Sequence, residues 1–355
     1  MRFDKAAKGL ERMLNQKHEY DILEKDEEED FETGYIPNWI MDSYYLEVIR
    51  LKKQLLEEYE GVALEKAVPG EIISNDVGEC YLISSDCQSN FHNPSEGARE
   101  SIISNLRFLR GIGEKTEAEL KRRGYQTIVD LTRHPKWRSL AREFLDLLDM
   151  NHFKTVQEVM WRRIPKSHPF SFRLAGLNRD EDFAIIDIET MGLFSRPIIL
   201  LGVAHPCEGK LKVNQYLVRE VSEENAALKA FIKDLEQYRA IISFNGRTFD
   251  VPFIEQRLNY YGLDKNIDKA HFDLLHFIRR VWRHTVPNCK LQTVEEYVLG
   301  LRRENEVPGA LVPEFYREYL VTGNVGPLVA IINHNRQDIV SLAQLFSKLS
   351  EALVQ

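Results

Sequence analysis

The stretch Phe183-Ala-Ile-Ile-Asp-Ile-Glu189 decides the fold, because it is an apolar strand pattern that carries two acids toward its end. Successive side chains of a strand point to opposite faces, so Asp187 and Glu189 share one face. Two carboxylates buried side by side are costly unless a cation neutralises them. For an isolated pair, the plainer alternative is that the strand ends there and water solvates both groups.

Acids farther along the chain favour a cation. An apolar strand at 240–244 leads into Asn245-Gly-Arg-Thr-Phe-Asp250, which places Asp250 at the start of the next helix, near the same edge. Asp338 lies in the last predicted helix, and His334 precedes it by one turn on the same face. Four carboxylates from three elements are typical of a hard-cation site of the two-metal type.

The region beyond residue 178 predicts a layered α/β domain. Strands alternate with helices there, and this alternation places a site at the strand ends. The predicted strands are 183–189, 198–204, 211–218 and 240–244, and the predicted helices lie near 223–238, 252–261, 274–282, 293–299, 313–320 and 326–349.

Three ordered motifs resemble a known family. They are D-I-E-T-x-G from Asp187, F-N-G-x-x-F-D from Phe244 and H-N-x-x-D from His334. In order and spacing they resemble the three exonuclease motifs of the DEDD (DnaQ-like) 3′→5′ exonuclease superfamily. The intervening text at 271–276, 291–295 and 309–314 looks like the bacterial YprB-like branch. The resemblance implies a ribonuclease-H-like fold, which is a mixed sheet flanked by helices.

The same resemblance implies roles for the site residues. Asp187, Glu189, Asp250 and Asp338 would bind metal and act in catalysis, and His334 would be the general base, a role that suits its usual pKa near 6.5. His334 precedes Asp338 by four residues, whereas the histidine subgroup of the family usually has five and the tyrosine subgroup four. The implied reaction is phosphodiester hydrolysis with two divalent cations, Mg²⁺ or Mn²⁺, about 3.5–4 Å apart, which activate water and stabilise the leaving 3′-oxygen.

Residues around the motifs are candidates with plainer alternatives. Asn245 either orients the substrate or holds the turn after its strand. Phe249 either stacks on a base or packs in the core, and core packing is the favoured interpretation. Thr190 is a further candidate substrate contact. Asp273 follows a further candidate strand and is expected to be structural or to support the ligands.

A basic segment precedes this domain. Residues 101–140 carry net +5, whereas residues 1–100 carry net −12 and the rest of the chain net −1. Short helices are predicted at 102–109, 114–123, 127–132 and 139–150, and the text at 108–131 resembles a helix-hairpin-helix module, which in its relatives binds the DNA backbone without reading sequence. A purely structural hairpin is the alternative, and Glu117 stands where a small alanine is usual. The expected backbone contacts are Arg110, Gly111, Gly113, Lys115, Thr116, Lys121 and Arg122.

The chain therefore divides into three predicted regions. Residues 1–97 form an acidic N-terminal region with a helix at 42–59 and a small β-hairpin at 70–83, residues 98–164 form the helix-hairpin-helix module, and residues 178–355 form the nuclease domain. The acidic run at 21–32 is expected to be solvated, with docking of a protein partner as the alternative. The predicted fold class is α/β, with a small all-α domain and a short α+β region.

Composition excludes several classes of protein. The 355 residues are 43% hydrophobic and 29% charged, which suffices for a core, and no apolar run reaches the roughly 18 residues of a membrane span. Four cysteines without C-x-x-C spacing indicate neither a disulfide framework nor a zinc site. With no apolar secretion signal at the start, we expect a cytoplasmic protein that does not enter membranes.

The leading functional hypothesis is a metal-dependent 3′→5′ exonuclease that acts on single-stranded or frayed 3′ ends, with the basic module gripping the strand or duplex backbone. DNA is favoured over RNA only because of that module. The alternatives are an RNA-processing 3′→5′ exoribonuclease and a catalytically silent nucleic-acid-binding protein. The presence of all four acids disfavours the silent protein.

Overall fold

The computed structural model describes residues 38–193, 196–263, 267–303 and 306–354. The acidic run at 21–32 lies outside the described residues. Within the described part, no helix is both long and apolar enough to cross a membrane.

A mixed seven-stranded sheet organises the described chain, in the order β1-β2-β5-β4-β3-β6-β7. The strand β3 pairs with β6 in parallel and with β4 in antiparallel fashion, and β7 continues the parallel part. The strand bounds are β1 (Glu71–Asn75), β2 (Gly78–Gln88), β3 (Phe183–Thr190), β4 (Ile198–Cys207), β5 (Lys210–Leu217), β6 (Ala240–Ser243) and β7 (Ala270–Asp273).

Helices cover the sheet and surround its edges. Short 3-10 turns connect several of them, and a π-helical turn spans Glu295–Leu299. The helix bounds are α1 (Asn38–Glu58), α2 (Leu64–Ala67), α3 (Ala98–Ile103), α4 (Glu114–Arg122), α5 (Arg138–Asp149), α6 (Phe153–Trp161), α7 (Pro169–Arg173), α8 (Glu224–Leu235), α9 (Asp250–Tyr260), α10 (Leu274–Trp282), α11 (Leu291–Val294), α12 (Val312–Thr322) and α13 (Gly326–Val354).

The two faces of β3 pack against different helices. Ala184 and Ile186 are fully buried in a cluster with α8 and α9. Phe183 and Ile185 are fully buried on the opposite face, in a cluster with α10 and α13. Because side chains alternate along a strand, Asp187 and Glu189 point to the face that α13 covers. The alternation predicted from the sequence therefore brings the acids toward the last helix.

The helical segment from α3 to α7 shares its core with the sheet. Phe108 packs against Phe170, with ring centroids 5.7 Å apart, and Phe172 contacts Phe346 of α13 at 5.0 Å. One continuous apolar cluster contains side chains of this segment and of the α13 face of the sheet. The stretch at 165–178, which lies between two of the predicted regions, holds α7 and a 3-10 turn (Leu174–Leu177) in which Leu174 and Ala175 are buried. This stretch thus packs on the shared core, and the division into three regions stays a prediction.

The N-terminal hairpin also belongs to the sheet. The predicted turn after Asn75 is present, and β2 extends eleven residues to pair antiparallel with β5. The hairpin thus forms one edge of the seven-stranded sheet, since β2 offers a long backbone ladder to the exposed side of β5. The helix α1 packs on the C-terminal helices, where Lys52 Nζ lies 2.8 Å from Glu314 Oε1. The described residues 38–97 therefore pack on the same sheet and helices as the segment that carries the four acids.

Three predicted helices differ in the structure. The helix expected at 102–109 is instead the end of α3 at Ile103 and a separate 3-10 turn at Leu106–Phe108, whose entry is held by the Asn105 side chain, which accepts from the N–H of Arg107. The helix expected at 127–132 is a 3-10 turn at Asp130–Arg133, whose entry is held by Asp130 Oδ2, which accepts from the N–H groups of Gln126 and Thr127. The helix expected at 293–299 is α11 followed by the π-helical turn. In each case hydrogen bonds from side chains or tertiary packing set the local backbone geometry. The periodicity of apolar residues carries no information on these contacts.

Close packing of α13 on the sheet requires a glycine. Gly202 of β4 lies opposite Asp187, and a Cβ at this position would stand 2.4 Å from both Asn335 Oδ1 and Ile339 Cδ1. A side chain here would require Asn335 and Ile339, or α13 as a whole, to shift.

We therefore predict that Gly202→Ala lowers the free energy of unfolding by about 1–3 kcal/mol, because it overpacks this interface. Denaturant unfolding followed by circular dichroism measures the change. Gly113→Ala is the matched control, since a Cβ there meets open space. Equal stability of the wild type and Gly202→Ala would mean that α13 can shift freely.

Candidate metal centre

The end of β3 and the start of α9 bring three acids together. Glu189 and Asp250 are buried, and Asp187 is partly exposed. The Oδ1 atom of Asp250 accepts a hydrogen bond from the N–H of Ile188 at 3.2 Å. This bond fixes the first residue of α9 to the backbone between the two strand acids. The prediction that Asp250 begins a helix is confirmed.

The loop before Asp250 has a specific local geometry. Asn245 adopts a left-handed conformation with φ of 60°, and a Cβ on Gly246 would lie 2.3 Å from Ser243 Oγ. The carboxylate of Asp273 accepts from the N–H groups of Asn245 (2.8 Å) and Arg247 (3.2 Å). Asp273 thus anchors this loop, and Asn245 forms the turn.

The helix α13 closes the site from above the sheet. The Nδ2 atom of Asn335 donates to Asp187 Oδ2 (2.7 Å) and to the carbonyl oxygen of Asp187 (3.0 Å). Gln215 of β5 in turn donates to Asn335 Oδ1 at 2.8 Å. Because Asn335 directly follows His334 and precedes Asp338 by three residues on the same helix, these bonds hold both residues beside the strand acids.

Mutual repulsion marks the four acids as one cluster. Burial, followed by the charges of Asp338, Glu189 and Asp250, raises the pKa of Asp187 well above its usual range. The hydrogen bond from Asn335 only partly opposes this effect. The structure thus brings together the four carboxylates that the sequence selected.

A buried arginine enters this cluster from the segment after the π-helical turn. The Nη2 atom of Arg303 lies 2.5 Å from Asp338 Oδ1 and 2.5 Å from Glu295 Oε1, and its Nη1 atom also pairs with Glu306. Burial lowers the pKa of Arg303, but the charges of Asp338 and Glu295 outweigh burial and raise it. Arg303 therefore stays charged and neutralises part of the cluster.

His334 lies between three carboxylates. Its Nδ1 atom hydrogen-bonds with Glu306 Oε1 at 2.7 Å, and its Nε2 atom lies 3.6 Å from Glu189 Oε1 and 3.8 Å from Asp338 Oδ2. Burial lowers the pKa of His334, but Asp338, Glu189 and Glu306 outweigh burial and raise the pKa to about 10. Without a cation on the carboxylates, His334 is itself protonated at neutral pH.

The donor set fits divalent cations. Ligand atoms of Glu306, His334 and Asp338 all lie within 4.8 Å of one another. Around them, carboxylates outnumber the two basic groups, Arg303 and His334, so negative charge remains in excess. Oxygen donors with surplus negative charge are the ligands that Mg²⁺ and Mn²⁺ prefer. Asp187, Glu189, Asp250 and Asp338 would hold the ions.

Two further candidate contacts are mainly engaged with the protein. The hydroxyl of Thr190 donates to the carbonyl of Gly192 at 3.1 Å and so orders the turn after β3. The ring of Phe249 lies 5.4 Å from that of Phe253 and packs at the edge of the α8 and α9 cluster. For Phe249, core packing matches the favoured interpretation, and substrate contact by either residue stays a prediction.

The basic segment forms a turn and a helix that present charge to solvent. Gly111 has φ of 86°, which favours glycine, and Gly113 precedes α4. Arg110 and Lys115 are exposed, as is Arg122. Two predicted contacts are less free: Thr116 is half-buried, and Lys121 Nζ lies 3.3 Å from Glu117 Oε1.

The contacts of Glu117 explain why a large acidic side chain fits at this position of α4. Its Oε1 atom accepts from the N–H of Leu106 at 3.0 Å, and its Oε2 atom lies 3.5 Å from Arg107 Nε. Glu117 therefore ties the turn at Leu106–Phe108 to α4 where a small residue would pack. Contact between this segment and phosphate stays a prediction.

Sequence reasoning missed four residues that complete the cluster. Asn335 was detectable, since it stands inside the third motif, and Gln215 is a buried polar residue within an apolar strand. Arg303 and Glu306 lie in an irregular segment, and no periodicity connects them to the motifs.

Comparison with known proteins agrees with this architecture. Residues 184–350 match the RNase_H superfamily. Together with the mixed sheet and its flanking helices, this match identifies an RNase H-like α/β domain, and the predicted fold class is confirmed.

Individual relatives cover different shares of the chain. The chain is 32% identical over 209 residues to the uncharacterized protein YprB of Bacillus subtilis (strain 168), which is 57% of this chain and 50% of that protein. It is 27% identical over 165 residues to a DNA polymerase of Pyrococcus glycovorans, which is 37% of this chain and 21% of the polymerase. The chain spans about half the length of YprB and less of the polymerase.

Among solved structures, a family B DNA polymerase from the hyperthermophilic archaeon Pyrobaculum calidifontis aligns with 49% of this chain and 26% of its own chain. The identity is 18% and the TM-score is 0.38.

The place of Arg303 among buried carboxylates predicts a metal-dependent stability effect. We expect Arg303→Met to lower the free energy of unfolding by about 3–5 kcal/mol in chelator, because it leaves buried charges without their partner. Added Mg²⁺ or Mn²⁺ should then stabilise the variant more than the wild type, since its carboxylate cluster is more negative.

Thermal unfolding with chelator and with each cation measures both effects. Arg302→Met is the control, because it removes the same charge from an exposed neighbour. A variant as stable as the wild type in chelator would contradict the neutralising role of Arg303.

Proposed function

We propose that this protein is a metal-dependent nuclease that removes nucleotides from the 3′ end of a nucleic-acid strand. The observation that carries this proposal is the convergence of Asp187, Glu189, Asp250 and Asp338, from three elements, at the end of the central strand. Buried acids that raise one another's pKa destabilise the folded state. Such an arrangement is typical of a functional site, where a bound cation offsets the repulsion.

The comparisons support the nuclease class. The acids lie in the segment that matches the RNase_H superfamily, and one relative is named a DNA polymerase. Hydrolysis of a phosphodiester suits a site of this chemistry. The 3′→5′ direction comes from the order and spacing of the three motifs around Asp187, Asp250 and Asp338.

Each carboxylate has a distinct support within the site. Asp187 is oriented by the Asn335 amide, and Asp250 by the N–H of Ile188. Divalent cations, when bound, would supply Lewis-acid activation of the attacking water and stabilise the charge on the leaving oxygen. Asp187, Glu189, Asp250 and Asp338 would hold these ions, and the burial of Glu189, Asp250 and Asp338 limits access of bulk water to the site.

Glu306 orients the proposed general base. A carboxylate on Nδ1 fixes the ring of His334 and leaves Nε2 directed at Glu189 and Asp338. Nε2 is the atom that would take the proton from water, once bound cations offset the carboxylate charge that otherwise keeps the ring protonated. Orientation of an imidazole by a carboxylate is a common arrangement for a histidine base. Glu306 is therefore a positioning residue, which acts through His334.

The basic helical segment is the proposed second contact with nucleic acid. Arg110 and Lys115 are exposed and present positive charge to solvent, and no side chain caps the first N–H groups of α4. A helix start with free donors and basic side chains binds phosphate without reading bases. This contact favours DNA as the substrate, and RNA is the alternative that the first experiment decides.

The catalytic prediction concerns Asp187. We expect Asp187→Asn to reduce hydrolysis by about a thousandfold or more, because several kcal/mol of transition-state stabilisation depend on the bound ions. The same variant should be more stable than the wild type at pH 7 in chelator. The raised pKa of Asp187 means that its ionised form destabilises the folded state, so removing the charge relieves repulsion.

The measurement uses 5′-labelled single-stranded DNA and RNA of one sequence, with Mg²⁺, with Mn²⁺ and with chelator, and a parallel melting curve. A ladder that shortens from the 3′ end, needs metal and disappears in Asp187→Asn supports the proposal, and the faster substrate identifies the sugar. Binding without cleavage of either strand would favour the silent binding protein instead.

The basic segment gives a separate prediction. Replacing Lys115, Lys121 and Arg122 by glutamine should weaken duplex binding and reduce the salt slope by about 0.9 for each phosphate that the variant no longer neutralises. Fluorescence anisotropy across a salt series measures both. The control replaces three exposed basic residues near the N-terminal helix, Arg50, Lys53 and Lys66, also by glutamine. An equal salt slope in both triple variants would show that α4 does not touch phosphate.

A further inference from the structure

An arginine and a tryptophan stack where the helical segment meets the loop that carries Asp250. The guanidinium carbon of Arg247 lies 3.8 Å from the ring centroid of Trp161, the last residue of α6. Lys166 Nζ lies 5.7 Å from the same ring. Among the described residues, the buried indole Nε1 of Trp161 has no hydrogen-bond acceptor. Two cationic side chains, Arg247 and Lys166, therefore lie against the ring of Trp161.

The position of Arg247 is fixed by its backbone. Its N–H donates to Asp273 Oδ2 at 3.2 Å, and the same carboxylate accepts from the N–H of Asn245. Asp250 follows three residues later, with its side chain bonded to the central strand. The arginine is therefore attached to the same rigid turn as one of the proposed metal ligands.

The guanidinium of Arg247 differs from those of other buried arginines. Arg257 pairs with Glu224, and Arg303 pairs with Glu295 and Asp338. Within the described residues, the guanidinium of Arg247 makes no hydrogen bond or ion pair, although Asp273 lies close enough to act on its charge. That carboxylate is already occupied by backbone N–H groups, including that of Leu275.

Stacking on Trp161 does not use the N–H donors of the Arg247 guanidinium, which have no hydrogen-bond partner among the described residues. The tryptophan covers a face of the guanidinium plane, whereas the N–H donors lie within the plane and point away from the ring. A partly buried cation without an anionic partner is costly, and binding of an anion removes that cost. The planar fork fits two oxygens of a phosphate. Stack and fork together make a preformed anion site.

Basic groups extend this site toward the helical segment. Burial lowers the pKa of His276, Asp273 opposes this effect, and Arg247, Lys166 and Arg279 add to it, so three cations lie near this ring. Arg280 likewise acts on His168, whose ring stacks on Phe170 with centroids 5.4 Å apart. The cations on this side of the stack are therefore Lys166, Arg279 and Arg280, besides Arg247 itself.

We propose that Arg247, held against Trp161, receives a phosphodiester of the bound strand, one or a few nucleotides from the bond that the carboxylates cleave. This inference rests on the proposed function for the direction of the strand, and it assigns a strand-binding residue that the motif resemblance did not include. The Trp161 ring keeps the guanidinium in its binding orientation.

The first test measures binding of single-stranded DNA and RNA oligonucleotides to the full-length protein with Ca²⁺ in place of Mg²⁺. Arg247→Gln should weaken binding by about ten- to a hundredfold, because it removes charge-assisted hydrogen bonds. The salt slope should fall by about 0.7, the value for one phosphate on a single strand. Arg247→Lys should recover part of the affinity, since it keeps the charge without the fork.

The second test locates the phosphate. Oligonucleotides carry one neutral methylphosphonate at successive positions from the 3′ end. Wild type should bind more weakly when one particular internal position is neutral than when its neighbours are, and Arg247→Gln should be insensitive at that position only. Trp161→Leu should weaken binding without adding to the effect of Arg247→Gln, because the two residues act as a unit.

Arg317→Gln is the matched control, since it removes an exposed arginine from α12. Equal weakening in Arg247→Gln and Arg317→Gln, or a methylphosphonate profile that is unchanged in Arg247→Gln, would overturn the inference. If the wild type binds with this phosphate preference and cleaves nothing in Mg²⁺, the strand site stands and the proposed nuclease function fails. If the wild type cleaves the strand but its binding does not depend on which phosphate is neutral, the proposed nuclease function stands and the Arg247 site fails.

Discussion

Four carboxylates within range of one another at the end of β3 impose the main constraint on this structure. In a region of low dielectric, each ionised acid raises the energy of the others, as the pKa of Asp187 shows. The fold counters this repulsion with a small number of fixed contacts. Asn335 donates to Asp187, Ile188 donates to Asp250, and Arg303 pairs with Asp338. Each contact places an acid while leaving negative charge for a cation.

The position of α13 follows from the same constraint. Asp338 and His334 reach β3 only if the helix lies close to the sheet, and this closeness depends on the absence of a side chain at Gly202. The helical segment before the domain is held against the other end of the same helix, through Phe346. A single long helix therefore contacts both the carboxylate cluster and the helical segment that carries the basic turn.

Sequence predicted the strands, the order of the helices and the four acids, because each has a local signature. Period-two alternation indicated the face of Asp187, and a short polar turn before a helical pattern indicated the position of Asp250. Composition was a weaker guide to how short elements pack on the domain. The stretch at 165–178 holds few apolar residues, yet they are buried, and the hairpin at the N-terminal edge joins the sheet of the domain. Composition does not record which surface a short element meets.

The sequence by itself determined which carboxylates could lie in one buried site, since residue type and strand period are local properties. Only the tertiary structure decided which other side chains contact these carboxylates. Arg303 and Glu306 reach the cluster from an irregular segment, and Trp161 meets Arg247 across 86 positions of the chain. Such pairs depend on how separate elements pack, and packing depends on many weak contacts at once. For this reason the acids were predictable, whereas the groups that neutralise, orient and extend their site were not.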